Sequence, residues 1–218
     1  MPKSSSFDQH YFDHWYRDPS QRVSTLARTT RKAKLTLALA EYYLERPVRT
    51  VLDVGCGEGQ WQPILKKISP RIQYTGIDPS LYAIEKFGKK RNLIYGKFSD
   101  LNQLSLSKSY DLIICSDLLY YIPEPTLKSG LQFLSKRLHG IAFLEAYSST
   151  DALEGDTQGM LPRTAQDYHR IFEQSGFISC GSHCYVSASL AHRVTTLEGI
   201  DVNLNIKCRT NTSKKIKQ

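Results

Sequence analysis

The sequence predicts an α/β domain built on a doubly wound parallel sheet. Three observations carry this. Short continuous apolar runs alternate with segments of helical length, at residues 50–54, 73–77, 93–98, 110–115 and 141–145. Strands without polar alternation are buried on both faces, and that burial is the mark of a parallel sheet under two helical layers. Most of these runs stop at Asp, Ser or Gly, so their tips are polar. The first run opens into a turn with three glycines at alternate positions, Gly55-Cys56-Gly57-Glu58-Gly59.

Each element has a local reason. In residues 1–20, Phe7, Tyr11, Phe12, Trp15 and Tyr16 recur at spacings that give a short helix one sticky face. Asp18-Pro19-Ser20 ends it. Residues 22–46 read as a longer helix with Leu35, Leu39 and Tyr43 four apart, stopped by Pro47. A helix at 59–68 follows the glycine turn and breaks at Ser69-Pro70. The second strand ends at Asp78, and Pro79-Ser80 opens the next helix. A helix over 124–138 leads into the fifth strand. Beyond it, 148–162 reads as a polar loop and 164–176 as a helix stopped by Gly176. Two late strands are expected near 177–187 and 202–208.

Length and composition narrow the classes. One core suffices for 218 residues, and 40% apolar content fits a globular chain. No apolar run approaches the ~20 residues of a bilayer span, and the N-terminus lacks an apolar signal core. A cytoplasmic location and no membrane partner are the expectation. Five cysteines without a C-x-x-C pair argue against a disulfide framework. Cys180, His183 and Cys184 lie close together, but no second ligand pair accompanies them, so no metal is expected. The net charge of +8 is uneven. Residues 22–34 and the last dozen each hold five uncompensated basic residues, leaving −2 over the rest. A basic tail supplies nonspecific phosphate affinity, so nucleic acid is a possible partner that the core itself does not favour.

The glycine turn brings bare backbone to a ligand at a strand tip, where a nucleoside-type cofactor would lie. Its pattern is G-x-G-x-G, not the dinucleotide G-x-G-x-x-G, and no Gly-Lys-Ser/Thr follows it. Asp78, at the second tip, can accept from both ribose hydroxyls, and Asp100, at the third, from an adenine amino group. Ser116-Asp117-Leu118 occupies the fourth.

With these motifs the chain resembles the class I S-adenosylmethionine-dependent methyltransferases. The resemblance rests on Val51 to Gly59, Gly76-Ile77-Asp78-Pro79-Ser80, Ser99-Asp100-Leu101, and Tyr110 to Ile122, and it covers about residues 35–187. It implies a doubly wound, mostly parallel seven-stranded sheet with an antiparallel last strand, and S-adenosyl-L-methionine as cofactor. By the same resemblance Gly55, Cys56 and Gly57 lie by the methionine part and Asp78 holds the ribose, with Asp53, Pro79 and Ser80 also among the cofactor-binding residues. Ser99, Asp100 and Leu101 flank adenine, and Ser116, Asp117 and Leu118 line the pocket near the sulfonium. The aromatic N-terminal helix with Phe7, Tyr11 and Tyr16 would close over the cofactor.

Methyl transfer from a sulfonium asks the protein mainly to align the acceptor and exclude water. A hydroxyl or carboxylate acceptor would also need a base or a fixed polar clamp. Glu145, His169 and Tyr11 are the candidates for acceptor chemistry. Glu145 ends the fifth strand, His169 has a suitable proton affinity, and Tyr11 can cap the acceptor. Tyr147, Arg163 and Tyr168 lie nearby in sequence. The expected organisation is a helical cap over 1–46, a cofactor-binding domain over 47–208 and a basic disordered tail over 209–218. The expected reaction is methylation of an oxygen or nitrogen of a small-molecule acceptor. A macromolecular acceptor, RNA or protein, and a noncatalytic binding module are the alternatives.

Overall fold

The computed structural model describes residues 7–152 and 155–194. Its strands are β1 (Thr50–Val54), β2 (Gln73–Asp78), β3 (Leu93–Tyr95), β4 (Tyr110–Ser116), β5 (Leu138–Glu145), β6 (Ile178–Gly181) and β7 (Cys184–Val186). Its helices are α1 (Gln9–Phe12), α2 (Leu26–Leu44), α3 (Trp61–Ile68), α4 (Leu81–Arg91), α5 (Glu124–Ser135) and α6 (Ala165–Gln174). All seven strands form one sheet in the order β3-β2-β1-β4-β5-β7-β6. β1 to β5 pair in parallel, and β7 runs antiparallel to both β5 and β6.

Alternation along the strands builds two cores. Leu52, Val54, Ile113, Ala142 and Leu144 face one side, where α5 and α6 add Leu127, Leu131, Ile171 and Phe172. Val51, Leu112, Ile114, Ile141 and Phe143 face the other, where α2 and α3 add Ala33, Leu37, Ala40, Ile64 and Leu65. α2, counted with the N-terminal segment in the sequence reading, is therefore a full member of a helical layer. Only the segment before it lies over the strand tips.

The helix ends follow their side chains. Thr25 caps α2, Ser80 caps α4, and Thr164 with Asp167 forms a reciprocal capping box on α6. Asn92 closes α4 in the left-handed region (φ 54°). At the foot of β4, Asp111 accepts two hydrogen bonds from Arg46, at 2.7 and 3.0 Å, and one from the Arg49 amide at 2.8 Å. Burial pushes its pKa up, but Arg46 and the amides outweigh that and hold it below the usual carboxylate value.

Three expectations need correction. The expected strand at 93–98 stops at Tyr95, and a 3-10 turn (Phe98–Gln103) follows it. Phe98 drops into the core against Gly130 of α5, which a longer strand would prevent. The expected strand at 177–187 is the β6–β7 hairpin. Ser182 and His183 turn it, both with positive φ (52° and 59°), the geometry of a two-residue hairpin loop. β5 starts three residues earlier than expected, at Leu138, which pairs with Tyr110 across an irregularity. The strand expected at 202–208 and the tail lie outside the described residues. Among the described residues no helix is long and apolar enough to cross a membrane.

Candidate active site

The order reverses between β1 and β4, and open α/β sheets bind ligands beyond the carboxyl ends of the strands at such a switch point. The glycine turn sits there. Gly55 and Gly57 adopt φ of 73° and 53°. A Cβ on Gly55 would stand 2.8 Å from the Leu118 side chain, and one on Gly57 3.1 Å from the Phe12 ring. Backbone freedom and space thus both demand glycine.

Asp78 braces the turn. One carboxylate oxygen accepts from the Gly57 amide at 2.7 Å and the other from the Ser80 amide at 2.8 Å. Each oxygen keeps a second lone pair for a ligand. Burial raises its pKa, against those two amides, which lower it. Asp53 is buried beneath the turn and accepts from the Tyr74 hydroxyl at 2.7 Å. Desolvation, opposed by that hydroxyl, pushes its pKa up to about 7, with Asp78 adding to the rise.

Two cavities meet above the sheet. One, of about 430 Å³, runs from Gly55, Gly57, Asp78 and Pro79 to Lys97, Phe98 and Ser99, roofed by Phe7, Tyr11, Phe12 and Tyr16. The other, of about 250 Å³, is walled by Tyr11, Trp15, Tyr16, Tyr120, Tyr121 and Tyr147, with Arg28, Asp117 and Asp156 as its charged groups. Tyr11, Tyr16, Asp117 and Tyr121 line both. A third, of about 50 Å³, lies among Asp53, Cys56, Glu58, Lys32 and Ser116.

The N-terminal segment is fastened over these cavities. Arg17, at the end of a π-helical turn that continues α1, donates to Glu58 of the glycine turn at 2.5 Å. The Ser80 hydroxyl donates to the Phe7 carbonyl. Phe12 is buried and stacks on Tyr82.

The expected site residues divide accordingly. Gly55, Gly57, Asp78, Pro79, Ser99, Asp117, Leu118 and Tyr11 line the 430 Å³ cavity. Asp53, Cys56 and Ser116 line the small polar one. Four further expected residues line none of these cavities. Leu101 is 1% exposed and packs in the core, because the 3-10 turn points it inward. Asp100, in the same turn, accepts from the Ser99 hydroxyl at 2.7 Å and does not line the cavity. Ser80 spends its hydroxyl on the α4 cap and on Phe7. His169 sits on α6 and lines none of these cavities.

Glu145 lines none of them either. Its carboxylate accepts from Lys32 at 2.5 Å, from Ser116 at 2.5 Å and from Tyr147 at 3.3 Å. Burial pushes its pKa up, but the Lys32 ammonium and both Lys32 and Ser116 hydrogen bonds outweigh this and hold it low. Arg163 is likewise structural, donating to the carbonyls of Leu119 and Ile122 that shape the turn after β4. Trp15, Tyr121 and Asp156 also line the aromatic cavity, and the sequence did not single them out as site residues. The one signal available was the tyrosine pair Tyr120-Tyr121, three and four residues past Asp117.

Residues 20–180 match the profile of a family described as a methyltransferase domain. The chain belongs to that family. Among curated relatives, this methyltransferase-domain protein is 24% identical over 191 residues to a malonyl-[acyl-carrier protein] O-methyltransferase of Bacillus cereus, a match covering 83% of this chain and 65% of the relative. A protein of the same name from Anoxybacillus flavithermus is 27% identical over 110 residues, covering 49% of this chain and 42% of the relative. The chain thus spans less than two thirds of the length of these relatives. Among solved structures, a sugar N-methyltransferase from Streptoalloteichus superposes with a TM-score of 0.61 at 15% identity, over 81% of this chain and 92% of that one. A magnesium protoporphyrin IX methyltransferase from Synechocystis with bound S-adenosylhomocysteine gives 0.56 at 16% identity, over 83% and 96%. These likenesses share the fold.

Proposed function

We propose that the protein transfers a methyl group from S-adenosyl-L-methionine to an oxygen or nitrogen of a small-molecule acceptor. One observation carries the reading: a cavity at the β1/β4 switch point, floored by Gly55 and Gly57, braced by the Asp78 carboxylate and joined at Asp117 to a second, aromatic cavity. Two joined compartments suit a two-substrate transfer.

The residues fit such a cofactor. Asp78 accepts from the ribose hydroxyls through its free lone pairs. Phe98 and Ser99 stand at the adenine end, and Gly55 lets the backbone approach the methionyl arm. The small polar cavity beside Cys56 receives that arm's charged end. Once bound, the cofactor supplies a methyl on a positively charged sulfur. The chain's task is to hold the acceptor in line with it and keep water out. The roof of Phe7, Tyr11, Phe12 and Tyr16 serves the second purpose. Lysine and arginine on α2 can serve a macromolecular acceptor, but a cavity of 250 Å³ admits a small group only.

Calorimetry with S-adenosylhomocysteine, S-adenosylmethionine and NADH tests the reading. The first two should bind and NADH should not. Binding of NADH with no binding of either adenosyl compound would sink it.

A further inference from the structure

Resting on that reading, we infer that the acceptor is an amine whose nitrogen is bound by Asp117, at the junction of the two cavities, inside an aromatic wall. Four observations combine.

The first is position. Asp117 lines the cofactor cavity, the aromatic cavity and the small polar cavity alike. Among the described residues no other carboxylate lines both large compartments. The second is backbone geometry. Asp117 has φ 58°, in the left-handed region that Asp and Asn enter more readily than other residues with a Cβ. Here the turn Leu119–Tyr121 follows at once, held by Arg163.

The third is the wall. Tyr11, Trp15, Tyr16, Tyr120, Tyr121 and Tyr147 present rings around one space. Tyr120 lies 4.6 Å from Tyr121 and 6.1 Å from Tyr147, centroid to centroid. Ring faces attract cations and give an anion nothing. The fourth is charge. Asp117 and Asp156 face this cavity, and Asp8 and Asp156 with His10 and His14 line the groove that continues it. Among the described residues Arg28 is the one arginine or lysine in the wall. It is exposed at the rim and donates to Val23 and weakly to Tyr147 (3.3 and 3.4 Å). Lys32, behind Ser116, is held by Glu145. A carboxylate acceptor placed next to the sulfonium would meet Asp117, while Lys32 is already paired with Glu145 and Arg28 stands at the rim.

The chemistry closes on the same residue. An amine arrives as an ammonium, and its lone pair must be freed before it can attack. Burial and the neighbouring Glu145 raise the proton affinity of Asp117, against Lys32, Ser116 and Arg28, so it can take that proton. The nitrogen lone pair then forms the N–C bond as the S–C bond breaks. The S–C pair stays on sulfur, and the positive charge moves from sulfur to nitrogen. The product ammonium leaves with its proton, and Asp117 releases its own to solvent. In this role Asp117 touches the acceptor, whereas Glu145, reached through Ser116, is a positioning residue.

Three ligands sharing one ring test the inference: tyramine, tyrosol and 4-hydroxyphenylacetate, differing in an amine, a hydroxyl and a carboxylate. Each is titrated by calorimetry into the full chain saturated with S-adenosylhomocysteine, which is uncharged at sulfur. Tyramine should bind at least about tenfold more tightly than either other ligand, as a charge-assisted hydrogen bond allows. Asp117→Asn, which tolerates the same backbone region, should abolish that preference when titrated at S-adenosylhomocysteine concentrations that saturate the variant. Three results would overturn it: a carboxylate bound as well as the amine, a preference that survives D117N, or no binding of any of the three at millimolar concentration. If the wild type fails to bind S-adenosylhomocysteine, the methyltransferase reading fails beneath it, which separates the two.

Discussion

Asp53 is a carboxyl that the fold prefers protonated. Its pKa rises from 3.8 to about 7 because it is buried, with Asp78 above it and only the Tyr74 hydroxyl in compensation. The sign follows from linkage. Between those two values the folded chain binds more protons than the unfolded one. This contribution is therefore complete below pH 3.8 and is lost as the pH climbs to about 7. The loss is on the order of 2–4 kcal/mol. Asp53→Asn keeps an acceptor for Tyr74 and removes the charge. Urea unfolding across this window should give a flatter stability profile for D53N than for the wild type. Parallel profiles would contradict the buried, protonated assignment. Asp78, whose proton affinity burial also raises, plays a different part, since its amide partners hold its oxygens ready for a ligand. Asp78→Ala should weaken S-adenosylhomocysteine binding by about 1.5–3 kcal/mol. It should also loosen the glycine turn, so affinity and stability are measured on the same variant, and unchanged affinity would refute the ribose role.

Elements are joined by pairs that lie far apart in the chain. Lys32 of α2 and Glu145 of β5 tie a helical layer to the strand tips. Glu145→Gln leaves the ammonium without its partner and should cost roughly 2–4 kcal/mol of stability. Because the folded pKa of Glu145 lies below 4.5, that contribution is present above pH 4.5 and disappears as the pH falls through the folded value. Chemical unfolding should therefore separate wild type and E145Q at neutral pH and bring them together in acid. This pair also shows where sequence reading stops. Strand tips and the glycine turn are local, so the places of Asp78 at a strand tip and of Gly55 in its turn were legible from their neighbours alone. Lys32 and Glu145 are 113 residues apart, and nothing local reveals that one answers the other. The directions of Asp100 and Leu101 were not legible for a related reason. Their direction depends on a 3-10 turn that Phe98 forces by packing under α5. His169 sits on a well-predicted helix, but which face meets a cavity is decided by tertiary packing.

At the scale of the molecule the chain divides into a seven-stranded sheet packed on both faces and a short N-terminal segment laid over its tips. The sheet was legible because each parallel strand is a continuous apolar run, whose period and length are written in the sequence. The β6–β7 hairpin was not, since its turn residues Ser182 and His183 are not the glycine–asparagine pairs that mark such loops. The two parts also differ in how they are held. β1 and β4 lie at the centre with every residue from Val51 to Val54 and from Tyr110 to Cys115 buried. The segment over the tips rests on the Arg17–Glu58 pair, the Phe7–Ser80 contact and the Phe12 ring. Amides of β1 and β4 should exchange only through global unfolding, and those of residues 9–17 through a far cheaper local opening. A ligand beneath that segment binds the closed form, so S-adenosylhomocysteine at about 100 times its dissociation constant should add roughly 2.7 kcal/mol to closing. Hydrogen exchange should then show residues 9–17 slowed about a hundredfold, with Arg17→Ala retaining the slow central strands while its N-terminal amides exchange faster in the free protein. If ligand slows the sheet but leaves residues 9–17 untouched, the segment is not the cover of the cofactor cavity.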